Sequence, residues 1–175
     1  MARLSTPHRY GSVAVGIHCL SALLILALMI SGNLSAETET AQSKLVILRL
    51  HAVCGLSIVC LTLLRLVWWW RVDNKPVSVA MPRWQARSAH AVHVLLYVVM
   101  LGMGASGIGM LVLSGAGDSL FGGASAPLPD FWQYAPRRPH GLGARILVAL
   151  IVLHVGAALY HQMVLRDGLL RRMWF

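Results

Sequence analysis

Four long apolar stretches constrain the fold of this chain more than any other feature of its sequence. They run over residues 13–31, 48–70, 89–113 and 142–165, and each has about the 20 apolar residues that a helix needs to cross a bilayer. Hydrophobic residues make up 57% of the chain and charged residues only 12%, which excludes an ordinary soluble domain. The sequence therefore predicts an all-α fold, an integral membrane four-helix bundle forming a single domain over residues 1–175.

The basic residues are distributed unevenly around the four stretches. The formal net charge is +9, but the basic side chains flank apolar segments and form no stripe, so we expect no nucleic acid partner and a surrounding of membrane lipid. One side of the predicted bundle carries more of them than the other, and the richer side is normally cytoplasmic. Both chain termini are therefore expected in the cytoplasm. The richer side has Arg3, Arg9, Arg65, Arg71, Lys75, Arg83, Arg87, Arg166, Arg171 and Arg172, and the poorer side has Lys44, Arg49, Arg137, Arg138 and Arg145.

Histidines recur inside the apolar stretches, where an imidazole is costly unless it has a task. His140 and His154 are fourteen residues apart, which on a helix is a rise of about 21 Å and within about 40° of whole turns. They therefore face nearly the same way at two depths. His18 lies at the inner depth on the first predicted helix, and His51 lies at the outer depth on the second.

These depths define an inner pair, His18 with His154, and an outer pair, His51 with His140. Since haem b takes an axial imidazole on each side of its iron, the pattern predicts two b-type haems stacked across the membrane, with the four histidines as iron ligands. The alternative is that these histidines are hydrogen-bonded packing residues or part of a proton path. The agreement of depth, facing and pairing favours ligation.

Other residues near the predicted haems allow two interpretations each. Arg65 either binds a propionate of the inner haem or extends to the inner interface. His90 and His93 either contact propionate or quinone or carry protons, or they have no cofactor role. His161 is either a quinone contact or an interfacial histidine. Five glycines either admit a flat macrocycle or allow close helix packing. They are Gly55, Gly102, Gly104, Gly107 and Gly109.

Four basic residues cluster in sequence beside the outer pair, namely Lys44, Arg49, Arg137 and Arg138. A focused positive field raises the encounter rate of a small anion such as superoxide, which makes these residues candidates for anion steering. Binding of lipid headgroups or haem propionates by the same side chains is an equally good interpretation.

The chain resembles the bacterial cytochrome b561 family of small di-haem proteins of the inner membrane. The resemblance is carried by "RYGSVAVGIH" in the first helix, "LHAVCGLSIVCLTLLRL" in the second, "AHAVHVLLY" in the third, and "PHG" and "HVGAALYHQ" in the fourth. It implies the same four axial histidines, and His161 matches a family histidine at the quinone. Cys19 departs from the family pattern, which usually has Trp after the first ligand.

The resemblance also implies a function and a location in the bacterial inner membrane. One branch of the family oxidises superoxide at the outer haem and reduces ubiquinone near the inner one, so a superoxide:quinone oxidoreductase with two haem b groups is expected. Two alternatives stay open. In the first, the chain is a quinone-linked relay for a periplasmic redox protein, and in the second it is the cytochrome b anchor subunit of a multisubunit dehydrogenase.

Overall fold

The chain folds into four long helices and several single turns. The computed structural model describes residues 2–77, 79–122 and 127–173. The segment between the third and the fourth long helix contains a further short α-helix. The helices are α1 (Ser12–Glu37), α2 (Ala41–Arg71), α3 (Arg83–Ser114), the short α4 (Ala116–Phe121) and α5 (Arg137–Tyr160). Single turns of 3-10 helix lie at Phe131–Gln133 and Leu170–Met173, and a π-helical turn continues α5 over His161–Leu165.

The four long helices are long and apolar enough to cross a membrane, which confirms the predicted all-α membrane bundle. Each extends beyond the apolar stretch that predicted it: α2 begins at Ala41 and α3 at Arg83. The physical reason is that hydropathy marks only the part of a helix that lies in hydrocarbon. Backbone hydrogen bonding continues into the polar segments on either side, so the ends of the helices lie outside the apolar stretches.

Neighbouring helices pack as antiparallel pairs. The main contacts are those of α1 with α2, of α3 with α5, and of α2 with α3. Few apolar side chains are buried, among them Ala14, Val15 and Ile58. Many others, such as Leu23 and Val152, are exposed on the outside of the bundle, as expected for helices that are solvated by lipid and not by water.

The short helix α4 covers one end of the bundle. Gly115, with a φ of +67°, ends α3 in the left-handed conformation that glycine adopts without strain. The chain turns there into α4, where Leu120 is buried. The Nε of Arg49 on α2 donates a hydrogen bond to the Leu120 carbonyl, which fastens α4 to the end of the bundle that carries His51 and His140.

The opposite end is closed by the two terminal segments and the α2–α3 connection. The backbone N–H of Tyr10 donates to the carbonyl of Arg172, and the N–H of Val77 donates to the carbonyl of Pro7, both at 3.0 Å. The guanidinium of Arg172 donates to the carbonyl of Val77 as well. The N-terminal segment, the connection and the last 3-10 turn therefore form one hydrogen-bonded layer.

Candidate cofactor site

Two pairs of imidazoles meet inside the bundle. The rings of His18 on α1 and His154 on α5 have centroids 6.2 Å apart and planes at 65°. The rings of His51 on α2 and His140 on α5 have the same separation and the same angle. Since α5 is continuous from Arg137 to Tyr160, the spacing of fourteen positions between its two histidines separates the pairs by about 21 Å along the helix axis. The structure thus brings together both pairs that the sequence suggests.

Each pair has the spacing of two imidazoles on opposite sides of one metal ion. A transition-metal ion holds an imidazole nitrogen at about 2 Å, and the ring centre lies about 1 Å beyond that nitrogen, so the centroids are about 6 Å apart. Among the described residues, no group of three or more His, Cys, Asp or Glu side chains could hold a metal ion by itself. A metal between these rings would take its remaining ligands from a macrocycle, as haem iron does.

Serine hydroxyls contact both histidines of the outer pair. Ser31 Oγ on α1 lies 3.0 Å from His51 Nδ1, and Ser106 Oγ on α3 lies 3.0 Å from His140 Nδ1. Sequence reasoning missed both serines. The only signal in the sequence is that each is followed by glycine, in "ISGN" and "ASGI".

The inner pair has charged and aromatic neighbours instead. Arg65 Nη1 on α2 lies 3.2 Å from His18 Nδ1, and the Nε of Arg65 is buried without a hydrogen-bond partner among the described residues. The ring of His93 on α3 lies 5.2 Å from that of His154, closer than the ring of His18. His90, one turn earlier on α3, has no ring contact with either histidine of the pair among the described residues. The structure therefore brings Arg65 and His93, but not His90, into contact with the inner pair.

His161 lies where α5 gives way to the π-helical turn. Its side chain is buried, and its Nδ1 lies 2.5 Å from the Asp167 carboxylate. Burial works against ionisation of Asp167, but hydrogen bonds from His161 and from the Leu169 backbone lower the pKa of its carboxyl below the ordinary value. The neighbouring Gln162 has a buried side-chain oxygen with no partner among the described residues. Asp167 lies beyond the apolar stretch, so its contact with His161 could not be predicted from hydropathy.

The four basic residues of the predicted steering cluster lie on α2 and at the start of α5. Arg49 and Arg138 are exposed, and Lys44 and Arg137 are half-buried. The Arg137 guanidinium stacks over the ring of Trp132, with 4.3 Å between Cζ and the ring centroid. Within the described ranges, none of the four forms an ion pair, so their charge is not compensated locally.

Three of the five predicted glycines lie close to a neighbouring segment or to a histidine. An added Cβ at Gly104 would meet Val59, and one at Gly109 would meet Pro136, so these two glycines serve close helix packing. Gly107 instead faces the ring of His140.

The sequence of this bundle matches an established family over nearly its full length. The family model described as "Prokaryotic cytochrome b561" matches residues 9–175. The chain belongs to the prokaryotic cytochrome b561 family. Cytochrome b561 homolog 1 of Escherichia coli (strain K12) is 26% identical over 170 residues, which cover 95% of this chain and 97% of that protein.

Two further relatives cover the chain equally well. A protein of Yersinia pestis named "Probable superoxide oxidase CybB" is 27% identical over 172 residues, which cover 94% of this chain and 95% of that protein. Cytochrome b561 homolog 2 of Escherichia coli (strain K12) is 28% identical over 184 residues, covering 99% of this chain and 95% of that protein. The expected family is thereby confirmed.

Membership of the cytochrome b561 family implies b-type haem and electron transfer in a bacterial membrane. The imidazole pairs are chemically suited to haem iron, because neutral imidazole is a common axial ligand of iron.

Proposed function

We propose that this cytochrome b561 binds two b-type haems and transfers electrons from superoxide to ubiquinone. The observation that carries the proposal is the equal 6.2 Å separation of the two imidazole pairs. His18 and His154 would hold the inner haem, and His51 and His140 the outer one. Haem b supplies one-electron redox chemistry when bound, and the protein tunes it through ligation and burial.

We propose that superoxide reacts beside the outer pair. Arg137 and Arg138 begin α5 one turn before His140, and Arg49 precedes His51 by two residues. A backbone carbonyl and an aromatic ring contact two of these guanidinium groups, and neither neutralises a positive charge. Uncompensated cations beside the site would raise the local concentration of a small anion.

At the inner pair, Arg65 is the residue suited to a haem propionate. Its guanidinium lies within the bundle beside His18, and its buried Nε has a hydrogen to donate. Arginine is matched in shape to a carboxylate and binds it with two parallel hydrogen bonds. The propionate interpretation therefore accounts for the buried nitrogen, whereas extension to the interface does not.

The quinone is proposed to bind at His161, beyond the inner pair. Reduction of a quinone takes two electrons and two protons, and the His161–Asp167 contact offers an imidazole and a carboxylate to carry protons. The net reaction oxidises two superoxide anions to two molecules of dioxygen and reduces one quinone, with two protons, to quinol. Both termini are proposed to be cytoplasmic, which would put His161 at the cytoplasmic face.

The test uses the full-length protein purified in detergent. Haem quantitation should give two b haems per chain, and His51→Ala or His154→Ala should each remove one, while His8→Ala on the exposed N-terminal segment should remove none. Superoxide from an enzymatic source should reduce the bound haem, and added ubiquinone should be converted to quinol. One haem per chain would disprove the paired ligation.

Other outcomes of this test point to the alternative functions. A protein that quinol reduces but superoxide does not would be a relay for a periplasmic redox protein. A second subunit that co-purifies in equal amount would indicate the anchor of a dehydrogenase. Reporter fusions to the C-terminus and to the α1–α2 connection test the orientation, and the C-terminal fusion should be the cytoplasmic one.

A further inference from the structure

The two histidines of the outer pair have the same local environment, although they lie on different helices. Ser31 precedes Gly32 on α1 and contacts His51. Ser106 precedes Gly107 on α3 and contacts His140. Both contacts are 3.0 Å from Oγ to Nδ1. Both histidines of the outer pair therefore have a serine hydroxyl as the neighbour of Nδ1.

The direction of each hydrogen bond follows from counting the serine protons. Ser31 Oγ lies 2.7 Å from the Ala27 carbonyl, and Ser106 Oγ lies 2.9 Å from the Met103 carbonyl. A carbonyl can only accept, so each hydroxyl donates its single hydrogen to its own helix. Toward the histidine each hydroxyl must then accept, and the hydrogen between them belongs to Nδ1.

This arrangement leaves Nε2 of each ring with its lone pair. A histidine with the hydrogen on Nδ1 can bind a metal only through Nε2. The carbonyl of Met103 lies 3.2 Å from His140 Nδ1 and accepts from the same N–H. The tautomer needed for ligation is thus selected by the protein before any metal binds.

The glycines that follow the serines let the rings come close. A Cβ added at Gly32 would lie 3.3 Å from His51 Cε1, and one added at Gly107 would lie 3.5 Å from His140 Cε1. The first distance is shorter than an ordinary contact. Serine followed by glycine therefore provides an acceptor and the space to reach it in two adjacent residues.

The inner pair differs from the outer pair in the kind of group that contacts Nδ1, which is a hydrogen-bond donor and not an acceptor. His18 Nδ1 faces the guanidinium of Arg65, which can only donate. For His154, no hydrogen bond of the ring is found in the part of the chain that the structure describes. Serine acceptors thus contact the outer pair, and a cation contacts the inner one.

We propose that Ser31 and Ser106 are positioning residues that lower the reduction potential of the outer haem. This rests on the proposed ligation by the two pairs. A hydrogen bond accepted from Nδ1–H makes the imidazole a stronger electron donor, which stabilises ferric iron and lowers the potential. A lower potential of the outer haem favours electron flow from the outer pair to the inner pair.

The test is a redox titration of the full-length protein with both haems bound. In Ser31→Ala, Ser106→Ala and the double variant, the potential of the outer haem should become more positive, most so in the double variant. The inner haem should keep its potential. The His154→Ala variant should retain only the outer haem, and its titration therefore shows which of the two potentials belongs to the outer haem.

Matched controls lie on the same helices. Ser35 on α1 donates its hydroxyl to the Gly32 carbonyl, and Ser114 on α3 donates to that of Met110. Neither Ser35→Ala nor Ser114→Ala should move the outer potential. Ser31→Thr and Ser106→Thr keep a hydroxyl and should restore most of the original value.

Several results would overturn the inference. The first is an outer potential that is unchanged or more negative in a double variant that retains two haems. The second is an equal shift of the outer potential in the Ser35→Ala or Ser114→Ala control. If the double variant loses the outer haem, retention of that haem in the threonine variants supports the role of the hydroxyl, and its loss there contradicts it. Failure of the proposed function would look different, because the His51→Ala variant would then bind as much haem as the wild-type protein.

Discussion

The guanidinium of Arg65 and the imidazole of His18 meet at 3.2 Å between Nη1 and Nδ1, although 47 residues separate them in the chain. Arginine can only donate a hydrogen bond, whereas an imidazole that holds a metal through Nε2 keeps its hydrogen on Nδ1 and cannot accept there. Ligation by His18 through Nε2 therefore requires the guanidinium to find another acceptor. A propionate of the same haem would satisfy both Nη1 and the unpartnered Nε.

Arg65 should consequently raise the reduction potential of the inner haem. Replacing it by Gln removes a positive charge beside the inner pair, and two charges about 8 Å apart interact by about 2 kcal/mol at an effective dielectric constant of about 20. The potential of the inner haem should fall correspondingly, and the outer haem should not respond. A redox titration measures both. Arg65→Lys, which keeps the charge, should retain most of the original potential, and an equal fall in both variants would contradict the electrostatic explanation.

His93 and His18 compete for the role of partner to His154, and their geometries distinguish them. The centroid separation between His93 and His154 is 5.2 Å, shorter than the roughly 6 Å expected across one metal ion. His18 has the separation and angle found in the outer pair. We therefore expect His18→Ala to lose one of two haems and His93→Ala to retain both. Haem quantitation decides between them, and the reverse pattern would assign His93 as the ligand.

The membrane helices and the pairing of histidines could be predicted from the sequence because both follow from regular geometry. A bilayer of fixed thickness requires helices of fixed length, and a helix of fixed pitch relates His140 to His154 by arithmetic. No tertiary information is needed for either. The helix ends were predicted less well, since α2 begins at Ala41 within a polar segment that hydropathy does not include.

The serine contacts could not be predicted, for a physical reason. Serine and threonine in membrane helices usually donate to a carbonyl of their own helix, as Ser21 and Thr62 do. Ser31 and Ser106 make the same local hydrogen bond, and only the packing of helices determines which hydroxyl also meets a histidine. His161 with Asp167 is a similar case, because their contact depends on the π-helical turn between them.

Asp73 should make the stability of the N-terminal segment depend on pH. Burial works against its ionisation, but hydrogen bonds from the Ser5 hydroxyl and backbone N–H and from the Trp68 indole lower its pKa below the ordinary value. A carboxyl whose pKa is lower in the folded state stabilises the fold above its unfolded pKa of about 3.9, and this contribution is lost as the pH falls through the folded value.

Asp73→Asn should therefore destabilise the segment at pH 7, by about 1–3 kcal/mol for lost hydrogen bonds to a charged group. Hydrogen exchange at the Ser5 amide, which donates to Asp73, should speed up accordingly. The difference between wild type and variant should shrink as the pH approaches 3. Asp118→Asn, at an exposed position of α4, is the control. A difference that does not depend on pH would mean that the charge of Asp73 contributes nothing.

The last prediction concerns the electrostatic attraction of superoxide to the outer pair. If the uncompensated cations gather the anion, the rate at which superoxide reduces the bound haem should fall as salt is added, since ions screen the field over about 10 Å at 0.1 M. Arg137→Gln combined with Arg138→Gln should lower the bimolecular rate severalfold, up to about tenfold, and should weaken its salt dependence. Both haem spectra should stay intact, because neither side chain belongs to a ligand pair.

A variant of the same total charge isolates the local effect. Arg83 and Arg87 are exposed at the start of α3, and on the proposed orientation they lie on the opposite face of the membrane. Replacing both by Gln removes two positive charges, as the outer variant does, but leaves the field at His140 almost unchanged. Stopped-flow measurement should find the rate nearly that of the wild type. If the two double variants slow the reaction equally, net charge and not the arginines beside His140 controls the encounter. If salt has no effect on the wild-type rate, the electrostatic argument for superoxide fails altogether.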